Sequence, residues 1–279
     1  MTARPRVALA TAATWPDLDH DGPALLAALD RVGVDAAPAV WDDPAVDWSA
    51  YDLAVVRSTW DYVPRCAEFL AWAASVPRLA NPADVLAWNT DKRYLDELAA
   101  AGVPVVPTTF VAPGEALHVP PYEHVVKPTV SASAGHTVRF AAGEDSTAHA
   151  TALLEAGRTV MVQPYQAAID MAGETSLCCF RGGFSHALRK APVLVPGLAD
   201  PNAVAVTPTQ ATPAQLAVAQ AALAAAPFPG PLLYARVDLV PGSDGSPVLM
   251  ELELAEPGLY LDRSAGAADR FAAAVRSSL

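Results

Sequence analysis

The chain has 279 residues, 52% of them hydrophobic and 17% charged, and sets 18 Lys and Arg against 30 Asp and Glu for a net charge of −12. That length holds about two domains with a full apolar core, which excludes disordered and collagen-like chains. Net acidity without a basic run argues against a duplex nucleic-acid surface. The longest apolar tract, Leu216 to Ala226, is mostly alanine, contains Gln220 and is bracketed by Pro213 and Pro227. It falls short of the roughly 18 residues a membrane span needs, so no membrane partner is expected. The N-terminal MTARPRVALATAATWPDLDHDG runs into acids after one short apolar stretch, unlike a signal peptide, and a cytoplasmic location is expected. Cys66, Cys178 and Cys179 are odd in number and two are adjacent, which builds neither a disulfide framework nor CxxC metal spacing.

In chain order, Arg6 to Thr11 (RVALAT) reads as a buried strand. Asp21 to Gly33 follows as a helix with Leu25, Leu26, Leu29 and Val32 on one face and Gly33 as its stop. Asp52 to Val56 is a further strand and Pro64 to Val76 a helix. This alternation implies a parallel sheet flanked by helices, with ligands beyond the carboxyl ends of strands. Thr90 to Ala101 reads as a helix closed by Gly102, and Pro104 ends a first domain over 1–104. A β-rich unit over 105–165 then has strands at Val125–Lys127, His136–Phe140 and Val160–Gln163, with a helix near Thr147–Glu155. The last unit, 166–279, holds two hairpins: Glu174–Phe180 with Phe184–Lys190, and Leu232–Val240 with Val248–Leu254. A helix from about Gly266 to Ser278 closes the chain.

The second hairpin carries the strongest chemical signal. Alternate strand residues share a face, so Arg236 goes with Asp238 and Glu251 with Glu253, and a guanidinium and three carboxylates can converge. Hard divalent cations such as magnesium take such oxygens together with substrate phosphates. A solvated strand face is the competing reading. The flanking VLM and LV runs imply a buried sheet, where unpaired acids are costly, and favour the metal. Lys127 ends an apolar strand before a loop of small residues, and Lys92 sits in the helix-opening NTDKRYL. Both suit phosphate oxygens, although a surface lysine is an equal reading of Lys92. The loop, with Gly135 alone, matches neither GxxxxGK[ST] nor GxGxxG. Past the strand ending at Val56, Arg57, Ser58, Trp60, Asp61 and Tyr62 are candidates to recognise an organic substrate, arginine holding a carboxylate and aspartate an ammonium group. Trp60 and Tyr62 read equally well as packing residues. His186 is either a general base or a structural strand histidine, and the other histidines lack metal-ligand spacing.

The order of these pieces resembles the ATP-grasp superfamily, particularly its glutathione-synthetase-like and D-alanine–D-alanine-ligase-like members, over most of the chain. The resemblance implies an α/β with α+β architecture, an N-terminal parallel-sheet domain followed by a two-part nucleotide-clasping region. It implies ATP and magnesium, with Lys92 and Lys127 as phosphate lysines and Ser133 within a mobile phosphate loop, Ser131–Gly135. It likewise implies Gln163, Pro164 and Tyr165 at the adenine edge, Glu174 on the ribose, Arg236 at the transition state, and Asp238, Glu251 and Glu253 as magnesium ligands. Arg189 and Lys190 would add positive charge where an acyl phosphate collects. The sequence departs from the common pattern at Glu253, where an asparagine is usual, and in its glycine-poor phosphate loop. VRSTWDY, NTDKRYLDELAAAGVPVVPT, GGFSHALRKAP and ELELAEPGLYL further resemble a subgroup that cyclises O-ureido-D-serine. The expected reaction is ATP-dependent activation of a carboxylate for attack by nitrogen, on a small amino-acid-like substrate. A ligase joining two molecules and a nucleotide-binding protein without catalysis are the alternatives. Lys127, Arg236, Asp238, Glu251 and Glu253 standing together argue against the last. Homo-oligomerisation stays open.

Overall fold

The computed structural model describes residues 3–195, 198 and 204–279. The first segment runs β1 (Arg6–Thr11), α1 (Gly22–Arg31), β2 (Asp35–Val40), β3 (Leu53–Val56), α2 (Cys66–Ser75), β4 (Leu79–Ala80), α3 (Ala83–Asn89) and α4 (Tyr94–Ala100). The middle holds β5 (Thr109–Val111), β6 (His124–Pro128), β7 (Val138–Phe140), α5 (Thr147–Glu155), β8 (Val160–Pro164) and α6 (Ile169–Ala172). The last holds β9 (Glu174–Phe180), β10 (Gly183–Lys190), β11 (Val206–Thr209), α7 (Pro213–Ala225), β12 (Tyr234–Pro241), β13 (Pro247–Glu253) and α8 (Ala267–Arg276). No described helix is long and apolar enough to cross a membrane.

Three sheets result among the described residues. The first is parallel, ordered β2-β1-β3-β4, and the other two are antiparallel, β5-β8-β6-β7 and β11-β10-β9-β12-β13. Several elements differ from the sequence reading, among them β2, α4 and α7. β2 carries Pro38 and a mixed exposure pattern, so no periodicity announces it, yet its backbone pairs with β1 along its whole length. The expected helix from Thr90 begins only at Tyr94; α3 precedes it, and Lys92 lies in the turn between the two. The alanine-rich tract near Leu216 lies in α7, opened by a capping box between Thr212 and Gln215.

The apolar cores join the segments. Val7, Leu9, Leu25 and Leu29 of the first sheet layer pack in one cluster with Phe180, Tyr234 and Phe271 of the last. The outer edge of β13 is satisfied by the chain that leaves the first sheet. Asn89 donates from Nδ2 to the Leu252 carbonyl (2.7 Å) and accepts from the Leu254 N–H (2.6 Å), while the Leu252 N–H donates to the Tyr94 hydroxyl (3.0 Å). Pro104 and Val106 continue the zipper through Leu249. An edge strand that would otherwise expose unpaired groups is thus fixed in register, and with it the two glutamates it carries.

Candidate active site

A cleft of about 1060 Å³ opens where the three sheets meet. β12 and β13 supply Arg236, Asp238, Glu251 and Glu253; β6 supplies Lys127, the turn before α4 supplies Lys92, and β9 and β10 supply Glu174 and Lys190. Ser131, Ser133, Gln163, Pro164 and Tyr165 line it from the middle sheet, and Trp60 and Tyr62 from the first.

The hairpin geometry follows from its register. Arg236 pairs across from Glu253 and Asp238 from Glu251, with a bulge just beyond Asp238, so all four reach one surface. Arg236 forks onto Asp238, with Nε 2.9 and 3.1 Å and Nη2 2.8 Å from its carboxylate oxygens, and Nη2 also meets Glu253. Burial opposes the charge on Arg236, and these two carboxylates outweigh it. Glu251 Oε1 takes the Lys92 ammonium at 2.9 Å, and Lys92 Nζ also donates to the Ser131 carbonyl at 2.8 Å. Burial disfavours the Lys92 charge, yet Glu251 raises its pKa above the ordinary lysine value. Burial pushes Lys127 the other way, below that value, with Glu251 opposing. Glu251 itself, although burial would raise it, is held below the usual carboxylate range by Lys92 and Lys127. Burial carries Glu253 up to about 8 against Arg236, with Asp238 and Glu251 adding to the rise.

This donor set fits a magnesium ion. The oxygens are carboxylate, and Glu251 and Glu253 keep 22% and 25% of their side chains open to the cleft. Asp238, 3% exposed and with both oxygens on Arg236, stands behind them. The three acids do not gather within 4.8 Å of one another. Among the described residues the group that does is His20, Asp21 and Asp262.

Four expected site residues do not line the cleft. Arg57 is 1% exposed, its guanidinium over the Tyr234 and Phe271 rings, 3.3 Å from the Pro257 carbonyl and 3.8 Å from Asp21. It braces the first sheet against the last rather than meeting a ligand. Ser58 is buried, its Oγ accepting from the Asp19 N–H, and Asp61 binds the Trp41 indole and Arg65. Arg189, next to Lys190 on one strand, points to the opposite face. His186 is likewise structural: Nε2 meets the Leu259 carbonyl at 2.9 Å and Nδ1 the Ser185 hydroxyl at 2.9 Å. The Gln163 amide turns to Thr108. Glu174 is the register neighbour of Lys190, which it holds above the ordinary lysine value. In the phosphate-type loop the left-handed backbone falls on Ser133, Ala134 and His136, not on the glycine.

The cleft also contains Trp15, Asp19, His20, Glu256, Tyr260 and Arg263, to none of which the sequence had assigned a site role. They come from the loop after β1 and the segment after β13, distant in sequence and joined by the Leu261 N–H donating to Asp21 Oδ1 at 2.5 Å. Burial lifts the Glu256 carboxyl to about 7, against Lys92 and the Tyr62 hydroxyl. The one signal in the sequence was the acid-rich DLDHD following an apolar strand.

The family described as D-cycloserine synthetase DcsG, N-terminal domain, matches residues 7–81. Over 98% of its length, and 98% of the relative's, the chain is 41% identical to the cycloserine biosynthesis protein DcsG of Streptomyces lavendulae. The chain belongs to the DcsG family. A crystal structure of D-cycloserine synthetase DcsG superposes with a TM-score of 0.90 at 40% identity, covering 98% of this chain and 99% of that one. D-alanine–D-alanine ligase from Bacillus anthracis shares the fold, with a TM-score of 0.67 at 16% identity over 98% and 97% of the two chains. A RimK-domain ATP-grasp protein from Sphaerobacter thermophilus does so at 0.66 and 20%, over 97% and 99%. The chain has the ATP-grasp fold of these neighbours, and its cleft lies where the sheets of that fold converge.

Proposed function

We propose that the protein closes O-ureido-D-serine into the D-cycloserine ring, consuming ATP with magnesium. The observation that carries this reading is one cleft holding Arg236, Asp238, Glu251 and Glu253 opposite Lys92, Lys127 and Lys190, in a chain related to DcsG end to end. A carboxylate is a poor acyl donor because oxide would have to leave. Taking the γ-phosphoryl group of ATP makes it an acyl phosphate, and that transfer asks chiefly for positioning and charge neutralisation. Lys127 and Lys92 meet phosphate oxygens, with Ser133 on the loop above them. Magnesium on Glu251 and Glu253, with Asp238 behind, supplies neutralisation of phosphate charge. Arg236, held rigid by Asp238 and Glu253, stabilises the oxyanion as nitrogen attacks, and Lys190 faces the departing phosphate. Gln163 to Tyr165 take the adenine edge through their backbone and Glu174 the ribose. Because the nucleophile belongs to the same molecule, ring closure gains the high effective concentration of a tethered group.

The substrate end is assigned to Trp15, Asp19, Trp60 and Tyr260, in place of Arg57, Ser58 and Asp61. The test is ADP release from ATP, magnesium and O-ureido-D-serine, with and without a second amine. Turnover without the amine is expected. Turnover only with it, and a ligated product, would replace cyclisation by intermolecular ligation.

A further inference from the structure

Closing the ring leaves the reaction unfinished, and the cleft holds an unassigned group suited to finishing it. The nitrogen of O-ureido-D-serine that attacks is bonded to oxygen and to a carbamoyl carbon. Its attack forms the ring C–N bond, breaks the bond from the acyl carbon to phosphate oxygen and releases a proton. The ring nitrogen still bears the carbamoyl group, whereas the D-cycloserine ring carries hydrogen there. Removal takes one water. Its oxygen bonds to the carbamoyl carbon, the bond from that carbon to the ring nitrogen breaks, the nitrogen takes a proton, and carbamic acid leaves to split into carbon dioxide and ammonia. No oxidant or reductant is involved. Acylation of the ring nitrogen on its other side makes it a better leaving group, which places hydrolysis after cyclisation.

Resting on the function proposed above, we infer that His20, held between Asp21 and Asp262, is the general base that hydrolyses the carbamoyl group in the same cleft. Among the described residues His20 is the only imidazole lining the cavity, and 44% of its side chain is open to solvent. Nε2 stands 3.9 Å from Asp21 Oδ1 and 3.9 Å from Asp262 Oδ1. Asp21 is itself fixed, accepting from the Leu261 N–H at 2.5 Å and the Asp262 N–H at 3.3 Å. Asp21 and Asp262 are positioning residues beside the imidazole of His20, which takes the water proton and then returns it to the ring nitrogen. Next to them Asp19 lines the cleft at 6% exposure with Oδ2 unpartnered, a buried acceptor that fits the carbamoyl NH₂ donor. The distances suit one small substrate: the Tyr260 ring lies 5.9 Å from the His20 ring and 6.0 Å from the Arg236 guanidinium, so oxyanion stabiliser and base flank the same side chain.

The test compares wild type with His20→Gln and Asp262→Asn, measuring ADP by coupled assay and ring products by mass spectrometry. His20 and Asp262 are both partly exposed, so the variants fold. In His20→Gln, ADP release is expected to stay within about threefold of wild type while D-cycloserine falls on the order of a hundredfold, and a ring heavier by one carbamoyl group accumulates. Asp262→Asn shows the same split more weakly. Equal D-cycloserine per ADP in wild type and His20→Gln would overturn the inference, as would parallel loss of ADP and ring products, which would make His20 a binding residue. Wild-type enzyme that releases no ADP with O-ureido-D-serine refutes the proposed function itself, and the inference with it.

Discussion

Replacing Glu251 by Gln tests the linkage between the hairpin and the two lysines. In the ligand-free protein Glu251 is the carboxylate partner of Lys92, 2.9 Å away, and its charge also offsets that of buried Lys127. Breaking a buried ion pair from one side costs about 3–5 kcal/mol. Two features reduce that here: the glutamine oxygen still accepts one Lys92 N–H, and the side chain is 22% open to the cleft. The expected loss is therefore about 2–3 kcal/mol of unfolding free energy. ATP should restore part of it, because phosphate oxygens replace the missing carboxylate beside Lys92. Turnover should fall on the order of 10²–10³-fold, the size of losing one preorganised electrostatic contact. Urea unfolding with and without ATP, together with ADP release at limiting magnesium, reads both quantities. Unchanged stability combined with unchanged turnover would refute the reasoning.

Asn89→Ala strands the Leu252 carbonyl and Leu254 N–H on the covered edge of β13, and should cost about 2–5 kcal/mol in urea unfolding; a loss below about 1 kcal/mol would show that the edge re-pairs. Arg57→Ala should lower stability by about 3 kcal/mol while the substrate KM stays within about threefold, since Arg57 is packed outside the cleft; a large KM rise with intact stability would return it to the binding site. Magnesium needs ionised ligands, and Glu253 loses its proton at about pH 8, so apparent magnesium affinity should climb from pH 6 to pH 8 and then level off. The same raised pKa means the folded state holds an extra proton between the ordinary glutamate value and about 8, so ligand-free stability should fall as pH rises through that window.

Local pattern and tertiary assembly contributed differently to what the sequence disclosed. Arg236, Asp238, Glu251 and Glu253 were legible because a hairpin has period two and a known register, so a face can be read from adjacent residues alone. The same rule separates Lys190 from Arg189, although adjacency had suggested that they act together. Lys92 belongs to a turn because α3 ends before it, a helix without a strong start signal. Arg57 follows a strand end as a ligand-binding arginine would, yet the Tyr234 and Phe271 rings that enclose it come from the far end of the chain. His20, Asp19 and Glu256 were illegible for the same reason: they become one wall only when the loop after β1 meets the segment after β13.

The central claim is that ATP activates the substrate carboxylate as an acyl phosphate before nitrogen attacks. O-ureido-D-serine labelled with ¹⁸O in its carboxylate, turned over with ATP and magnesium and without a second amine, should transfer one labelled oxygen to inorganic phosphate for each ring formed. Phosphate free of label, with ring formation intact, would contradict it.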